Sequence, residues 1–294
     1  MNITIKSGLA ALALAAFATG AQAADIVVGG KNFTEQQILS AITQQVLEAN
    51  GHRVDNRAGM GSAAVRQAME NGQIDVYWEY TGTSLITYNN IEEKLDPQQT
   101  YDTVKELDAQ KGIVWLNPSE ANNTYALAMR AADASEKGIA SISDLAGAIN
   151  GGQGLTFGSN AEFYARPDGL KPLETAYGFE FGRANVKRMD TGLVYQALRD
   201  GQVDVGLVFA TDGRIPAFDF TVLEDDQGYF PSYALAPVIR TEVLEANPDI
   251  GDLLNGVAAK LDDQVMAALN ASVDVDKVSV ENAAAKFLQD NGLN

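Results

Sequence analysis

A chain of 294 residues with 46% apolar and 20% charged side chains is long enough for one large α/β domain or two lobes, and its composition excludes an intrinsically disordered protein. A formal charge of −18 disfavours nucleic acid and anionic lipid head groups as partners and mildly favours cationic small molecules. The absence of cysteine excludes disulfides, thiolate metal sites and thiol nucleophiles.

At the amino terminus Lys6 precedes LAALALAAFATG, an apolar run too short to span a bilayer, and small residues stand at Ala21 and Ala23. This predicts a signal peptide over residues 1–23, and with no cysteine at the cleavage site a freely diffusing periplasmic protein is expected rather than a lipid-anchored one. From Asp25, DIVVGG reads as a short buried strand, Lys31-Asn32-Phe33 as a turn, and Thr34 as the N-cap of a helix running to about Asn50, with Gln37 completing a capping box. A helix starting directly after a strand offers free backbone N–H groups to an anionic ligand group, and Lys31 adds a formal charge beside it. His52, the single histidine, reads as a turn residue. An edge strand is expected over His52 to Arg57, a helix over Ala63 to Asn71, and a strand over Gln73 to Tyr80. Its period of two sets Ile74, Val76 and Trp78 on one face; Asp75, Tyr77 and Glu79 fall on the other, where both carboxylates are expected to be solvated. Tyr80-Thr81-Gly82-Thr83 then leaves the sheet at a carboxyl end, where open α/β sheets bind ligands.

A polar helix is expected from Pro97 to Gly112, then a strand, a loop over Pro118 to Thr124, and a second strand. The first crossing between lobes is expected at about Tyr125 to Arg130. Ser143 and Asp144 sit in a capped helix start at Ile142, followed by a strand over Leu155 to Phe157, a helix over Thr191 to Asp200 and a strand over Val203 to Phe209. Pro231 and Pro237 are poor residues for a sheet interior, so residues 229–240 read as the return crossing. Two helices between Thr241 and Asn291 complete the chain.

The chain repeats part of itself. An offset of 129 places Gln67–Val76 on Gln196–Val205 with six of ten residues identical, each copy a helix end, a Gly stop and an apolar strand. The same offset places Tyr80 on Phe209. A weaker echo matches Gly30 and Asn32 with Gly158 and Asn160 at an offset of 128. The pattern predicts two related α/β lobes, each ending a strand on an aromatic ring at a shared cleft. The expected fold class is therefore α/β with two lobes: residues 24–126 with 232–294 in lobe 1 and 127–231 in lobe 2.

Enzyme signatures are scarce: the sequence has no GxSxG, no P-loop, no HExxH and no CxxC. No catalytic residue, metal or cofactor is expected. Aromatic residues instead gather at the predicted strand ends and crossings, namely Tyr80, Tyr125, Phe209 and Tyr233, and the faces of such rings attract a cation within about 6 Å. A quaternary ammonium suits them because it cannot donate hydrogen bonds.

GKNFTEQ at residues 30–36, EYTGT at 79–83, NNTY at 122–125, TDGRI at 211–215 and YFPSY at 229–233 together resemble the glycine betaine/choline-binding proteins of osmoprotectant ABC transporters. The resemblance covers essentially the whole chain after residue 23. It implies a type II periplasmic-binding-protein fold with two crossover segments and a ligand cleft between lobes. It also implies a quaternary ammonium ligand and, as partner, an inner-membrane ABC permease with its ATPase; a monomer that binds no nucleic acid is expected. Tyr80, Tyr125, Phe209 and Tyr233 would wall an aromatic box, Asn123 would lend a backbone carbonyl, and Lys31, Thr83 and Arg166 would hold the betaine carboxylate. Phe209 stands where the family commonly has Tyr, so receptors for carnitine or ergothioneine remain alternatives. A sensory module passing closure to a membrane receptor is a further one.

Overall fold

The computed structural model describes residues 26–293, so the expected signal peptide lies outside the described residues. Among the described residues ten strands form two mixed five-stranded sheets. β1 (Ile26–Lys31), β2 (Val54–Met60), β3 (Val76–Tyr80), β4 (Ile113–Trp115) and β10 (Leu235–Arg240) make the first, in the order β2-β1-β3-β10-β4. β5 (Tyr125–Arg130), β6 (Phe157–Ser159), β7 (Val186–Arg188), β8 (Val205–Phe209) and β9 (Phe220–Val222) make the second, in the order β7-β6-β8-β5-β9. Position by position the two sheets share the same pattern of parallel and antiparallel pairs, but the fourth strand comes last in the chain in the first sheet (β10) and first in the second (β5). In each sheet the central strand runs parallel to one neighbour and antiparallel to the other, so β3 and β8 are counterparts.

The repeat read from the sequence is thus a repeat of structure. The 129-residue offset carries the pair Val28–Val76 onto the pair Phe157–Val205, so the echo at 128 lies one residue out of register with the ladder. Central position explains why all five residues of β3 and all five of β8 are buried. Strands with neighbours on both edges and helices on both faces read as continuous apolar runs.

Several local expectations give way. Thr34 is the first helical residue of Thr34–Ala49, not its cap; the cap position belongs to Phe33, without a side-chain bond, because the Thr34 hydroxyl donates instead to Asp274 at 2.9 Å. Tyr125–Arg130, expected as a crossing, is β5 of the second sheet, so the chain passes over before it, through residues 116–124. Residues 235–240 of the expected return crossing are β10, a strand of the first sheet that includes Pro237. The carbonyl of Pro237 accepts from Leu116 N just beyond the three-residue β4, and the reciprocal bond that proline cannot donate is replaced by the Tyr101 hydroxyl, which donates to the Leu116 carbonyl at 2.9 Å. The tail folds as four helices rather than two: Thr241–Ala246, Asp249–Ala258, Asp263–Asp274 and Val280–Asn291. The last of them packs along Thr34–Ala49. His52 does sit just past that helix, 2.7 Å from Asp249. Among the described residues no helix is long and apolar enough to cross a membrane.

Candidate ligand cleft between the two sheets

The carboxyl ends of β3 and β8 bring Tyr80 and Phe209 to the same cleft. Tyr125 opens β5 directly opposite Phe209 in the ladder, and Tyr233 lies two residues before β10, its backbone N–H donating to Asn122 at 2.7 Å. The turn after Tyr80 closes tightly on Tyr233. A Cβ added at Gly82 would meet the Ser232 carbonyl at 2.7 Å and the Tyr233 ring at 2.8 Å, which explains the glycine of the EYTGT motif.

The rings form a continuous chain. Tyr125 lies 5.3 Å from Phe209 and 5.4 Å, edge-on, from Tyr233. Phe33 links Phe209 to Tyr80, stacked at 5.4 Å on the first and 6.3 Å from the second. Phe33 read only as part of a turn in the sequence; its place between two predicted walls depends on how β1 sits beside β3 and across from β8. These rings line a cleft of about 1040 Å³, at the upper end of small-ligand sites. Every site residue expected from the sequence lines it except Arg166, which lies behind the wall with its guanidinium 5.3 Å from the Tyr125 ring and 6.0 Å from the Tyr233 ring.

Both expected cationic grips carry their own counter-charge. Lys31 is 2% exposed, and its ammonium bonds Glu79, which is fully buried, while sitting 4.8 Å over the Tyr80 ring. Glu79, expected to be solvated, also accepts from the Tyr77 hydroxyl at 2.8 Å and from Tyr80 N at 2.7 Å. Asp75 is buried too, accepting from Val27 N at 2.8 Å and pairing with Arg240 at 3.0 Å. Arg166 grips Asp168 through Nε and Nη2, both at 2.7 Å, and the Tyr233 hydroxyl donates to the same carboxylate. Arg166 Nη1 reaches Thr83 Oγ1 at 3.4 Å and Glu162 at 3.1 Å. Burial, and then the nearby Asp168 charge, pushes the Tyr233 phenol well above its ordinary pKa; burial and Glu35 do the same for Tyr80, so both walls are neutral.

Beneath the rings lies a polar hub that the sequence reading missed. Glu35 is 3% exposed; Oε1 accepts from Tyr80 at 2.7 Å and Asn123 at 2.8 Å, and Oε2 from Thr211 at 2.5 Å and Asn270 at 3.1 Å. Asn123, expected to lend its backbone carbonyl, thus commits its side chain to this hub. Burial raises the Glu35 pKa, and the four donors oppose the rise. Its donors stand 45 to 235 residues away along the chain, so no local pattern could have flagged it. Among the described residues no cluster of three or more His, Cys, Asp or Glu could hold a metal ion.

A family model described as the substrate-binding domain of ABC-type glycine betaine transport systems matches residues 24–290. The chain belongs to this family. It is 47% identical to the glycine-betaine-binding protein of Pseudomonas aeruginosa over 100% of this chain and 96% of that one. It is 35% identical to the glycine betaine-binding protein YehZ of Escherichia coli, over 95% of each. Among solved structures, one described as a glycine betaine/carnitine/choline ABC transporter superposes with a TM-score of 0.73 at 27% identity, over 92% of this chain and 99% of that one. The two-lobed fold with its cleft is therefore that of the family, a family of binding domains and not of enzymes.

Proposed function

We propose that this chain captures a quaternary ammonium compound, glycine betaine or choline, and delivers it to an inner-membrane ABC permease with its ATPase. The observation that carries the reading is the run of five rings, Tyr80, Phe33, Phe209, Tyr125 and Tyr233, drawn from both sheets to one cleft. Ring faces stabilise a methylated cation by about 2 kcal/mol each when desolvated. A ligand touching rings from both lobes binds the closed form better and so draws the lobes together. Lys31, Thr83 and Arg166 serve the anionic end. A lobe division ahead of β5, within residues 116–124 rather than at 126/127, and a return at 231/232 belong to the same reading, as do the signal peptide and a periplasmic location.

A thermal-shift panel on residues 24–294 tests it, with glycine betaine, choline, proline betaine, carnitine, ergothioneine and histidine. A ligand that binds only the folded state raises the melting temperature. A trimethylammonium compound should do so and histidine should not; a shift by histidine alone, or by none of the methylated compounds, overturns the reading.

A further inference from the structure

Glu162 lies in the first turn of the helix Ala161–Ala165, on the second-sheet side of the cleft, and lines the cavity. One carboxylate oxygen accepts from Arg166 Nη1 at 3.1 Å; the other accepts from the Ser62 hydroxyl, across the cleft on the first-sheet side, at 2.8 Å. The same Arg166 nitrogen reaches Thr83 Oγ1 at 3.4 Å. A carboxylate of the protein therefore sits against the guanidinium edge and beside the hydroxyl that would hold the carboxylate of a betaine.

We propose that Glu162 is an internal occupant of the ligand's anionic subsite and thereby sets the preference of the cleft between zwitterionic and purely cationic trimethylammonium compounds. The proposal rests on the quaternary ammonium reading above. Charge counting supports it. Lys31 is matched by Glu79 and Arg166 by Asp168, so Glu162 adds a negative charge that no cation of the inner cleft is left to balance. Lys187 and Arg188 also line the cleft, but both are exposed, and Arg188 stacks at 4.9 Å over Tyr164. A betaine must displace Glu162 from Arg166 and Ser62, or bind beside it against like-charge repulsion. Choline carries no carboxylate and binds with Glu162 in place, where the extra negative charge favours it. A built-in repulsive group of this kind discriminates by penalising the competitor. The Glu162 side chain is 34% exposed and belongs to a five-residue helix, so it can swing outward without disturbing a core.

Calorimetric titration of residues 24–294 with glycine betaine and with choline chloride, at one ionic strength, tests the proposal on the wild-type chain, Glu162→Ala and Glu162→Gln. The ratio of betaine to choline affinity should move toward betaine by at least about fivefold in both variants, through a tighter betaine constant and an unchanged or weaker choline constant. Ser62→Ala, which frees one oxygen of Glu162, should move the ratio the same way by less. A smaller change in ratio, or weaker betaine binding in both Glu162 variants, refutes the proposal while leaving the quaternary ammonium reading intact. Failure of the wild-type chain and the variants to bind either compound refutes both.

Discussion

At the carboxyl end of β3 the chain reads Trp78-Glu79-Tyr80, and at the counterpart end of β8 it reads Leu207-Val208-Phe209. The strands leading to these ends are anchored alike. Asp75 and Asp204 each accept the backbone N–H of the counterpart residues Val27 and Thr156, both at 2.8 Å. Arg240 closes β10 and bonds Asp75 at 3.0 Å; Arg130 closes β5 and approaches Asp204 at 4.0 Å. Each arginine lies over the glycine that ends the preceding helix, Gly72 or Gly201, and both glycines have φ of +71°. The frame is duplicated while the tips have diverged: a buried Lys31–Glu79 pair and a phenol on one side, Val208 and a bare ring on the other. Duplicated residues therefore mark the scaffold, and the places where the copies differ mark the ligand chemistry.

The sharpest way to break this comparison is to remove Glu79. Deleting one partner of a buried ion pair leaves an unbalanced charge, here Lys31, and also strands the Tyr77 hydroxyl and Tyr80 N–H. Glu79→Ala should cost about 3–5 kcal/mol in urea unfolding. The counterpart Val208→Ala removes only two methyl groups and should cost about 2 kcal/mol. Equal losses would mean that the tips do not differ energetically. Next come the anchors: Asp75→Ala and Asp204→Ala should each cost about 1–3 kcal/mol, and by similar amounts, since each frees one backbone N–H at the start of an inner strand. If one proves neutral, the duplicated frame is a likeness of form without a likeness of energetics.

The scaffold was largely legible in the sequence because helix stop, glycine and apolar strand recur at fixed spacing, and that spacing alone located Tyr80 and Phe209 as counterparts. What escaped was set by packing between distant segments. Glu79 read as solvated because strand periodicity shows two faces without showing what covers them; with β1 and β10 flanking β3 and layers above and below, neither face of its strand meets water. Pro237 read as a linker because the rule against proline in sheets takes no account of a distant side chain, here the Tyr101 hydroxyl, that fills the bond proline cannot donate. Phe33 and Glu35 belong to a motif recognised at the start, GKNFTEQ, yet their roles depend on Phe209, Thr211 and Asn270, contributed by the other lobe and by a C-terminal helix. That Tyr80 and Phe209 would reach one cleft was legible because ring type and strand end coincide in one short stretch of each copy.

At the tips themselves, Tyr80→Ala should weaken glycine betaine or choline binding at least about tenfold by calorimetry, as should Tyr233→Ala. Phe209→Ala should weaken it by less than Tyr80→Ala, because it leaves the Glu35 hub untouched. Loss of Tyr80 also releases a bond to Glu35 at 2.7 Å and one from Gln36 at 3.1 Å. Unchanged affinity in Tyr80→Ala would remove the first-sheet wall from the box.

The smallest effect is expected from making the two tips alike. Phe209→Tyr adds the hydroxyl that Tyr80 possesses, but the hydroxyl of Tyr80 is spent on Glu35 and Gln36 beneath the cleft, and what it offers a ligand is its ring face. By that precedent the added group changes no face, and affinity should stay within about threefold of the wild-type value, since a single neutral hydrogen bond contributes only about 0.5–1.5 kcal/mol net. A gain beyond tenfold would show that the phenol itself contacts the ligand, and that the divergence between the two strand ends lies in that one oxygen rather than in the ion pair beneath Tyr80.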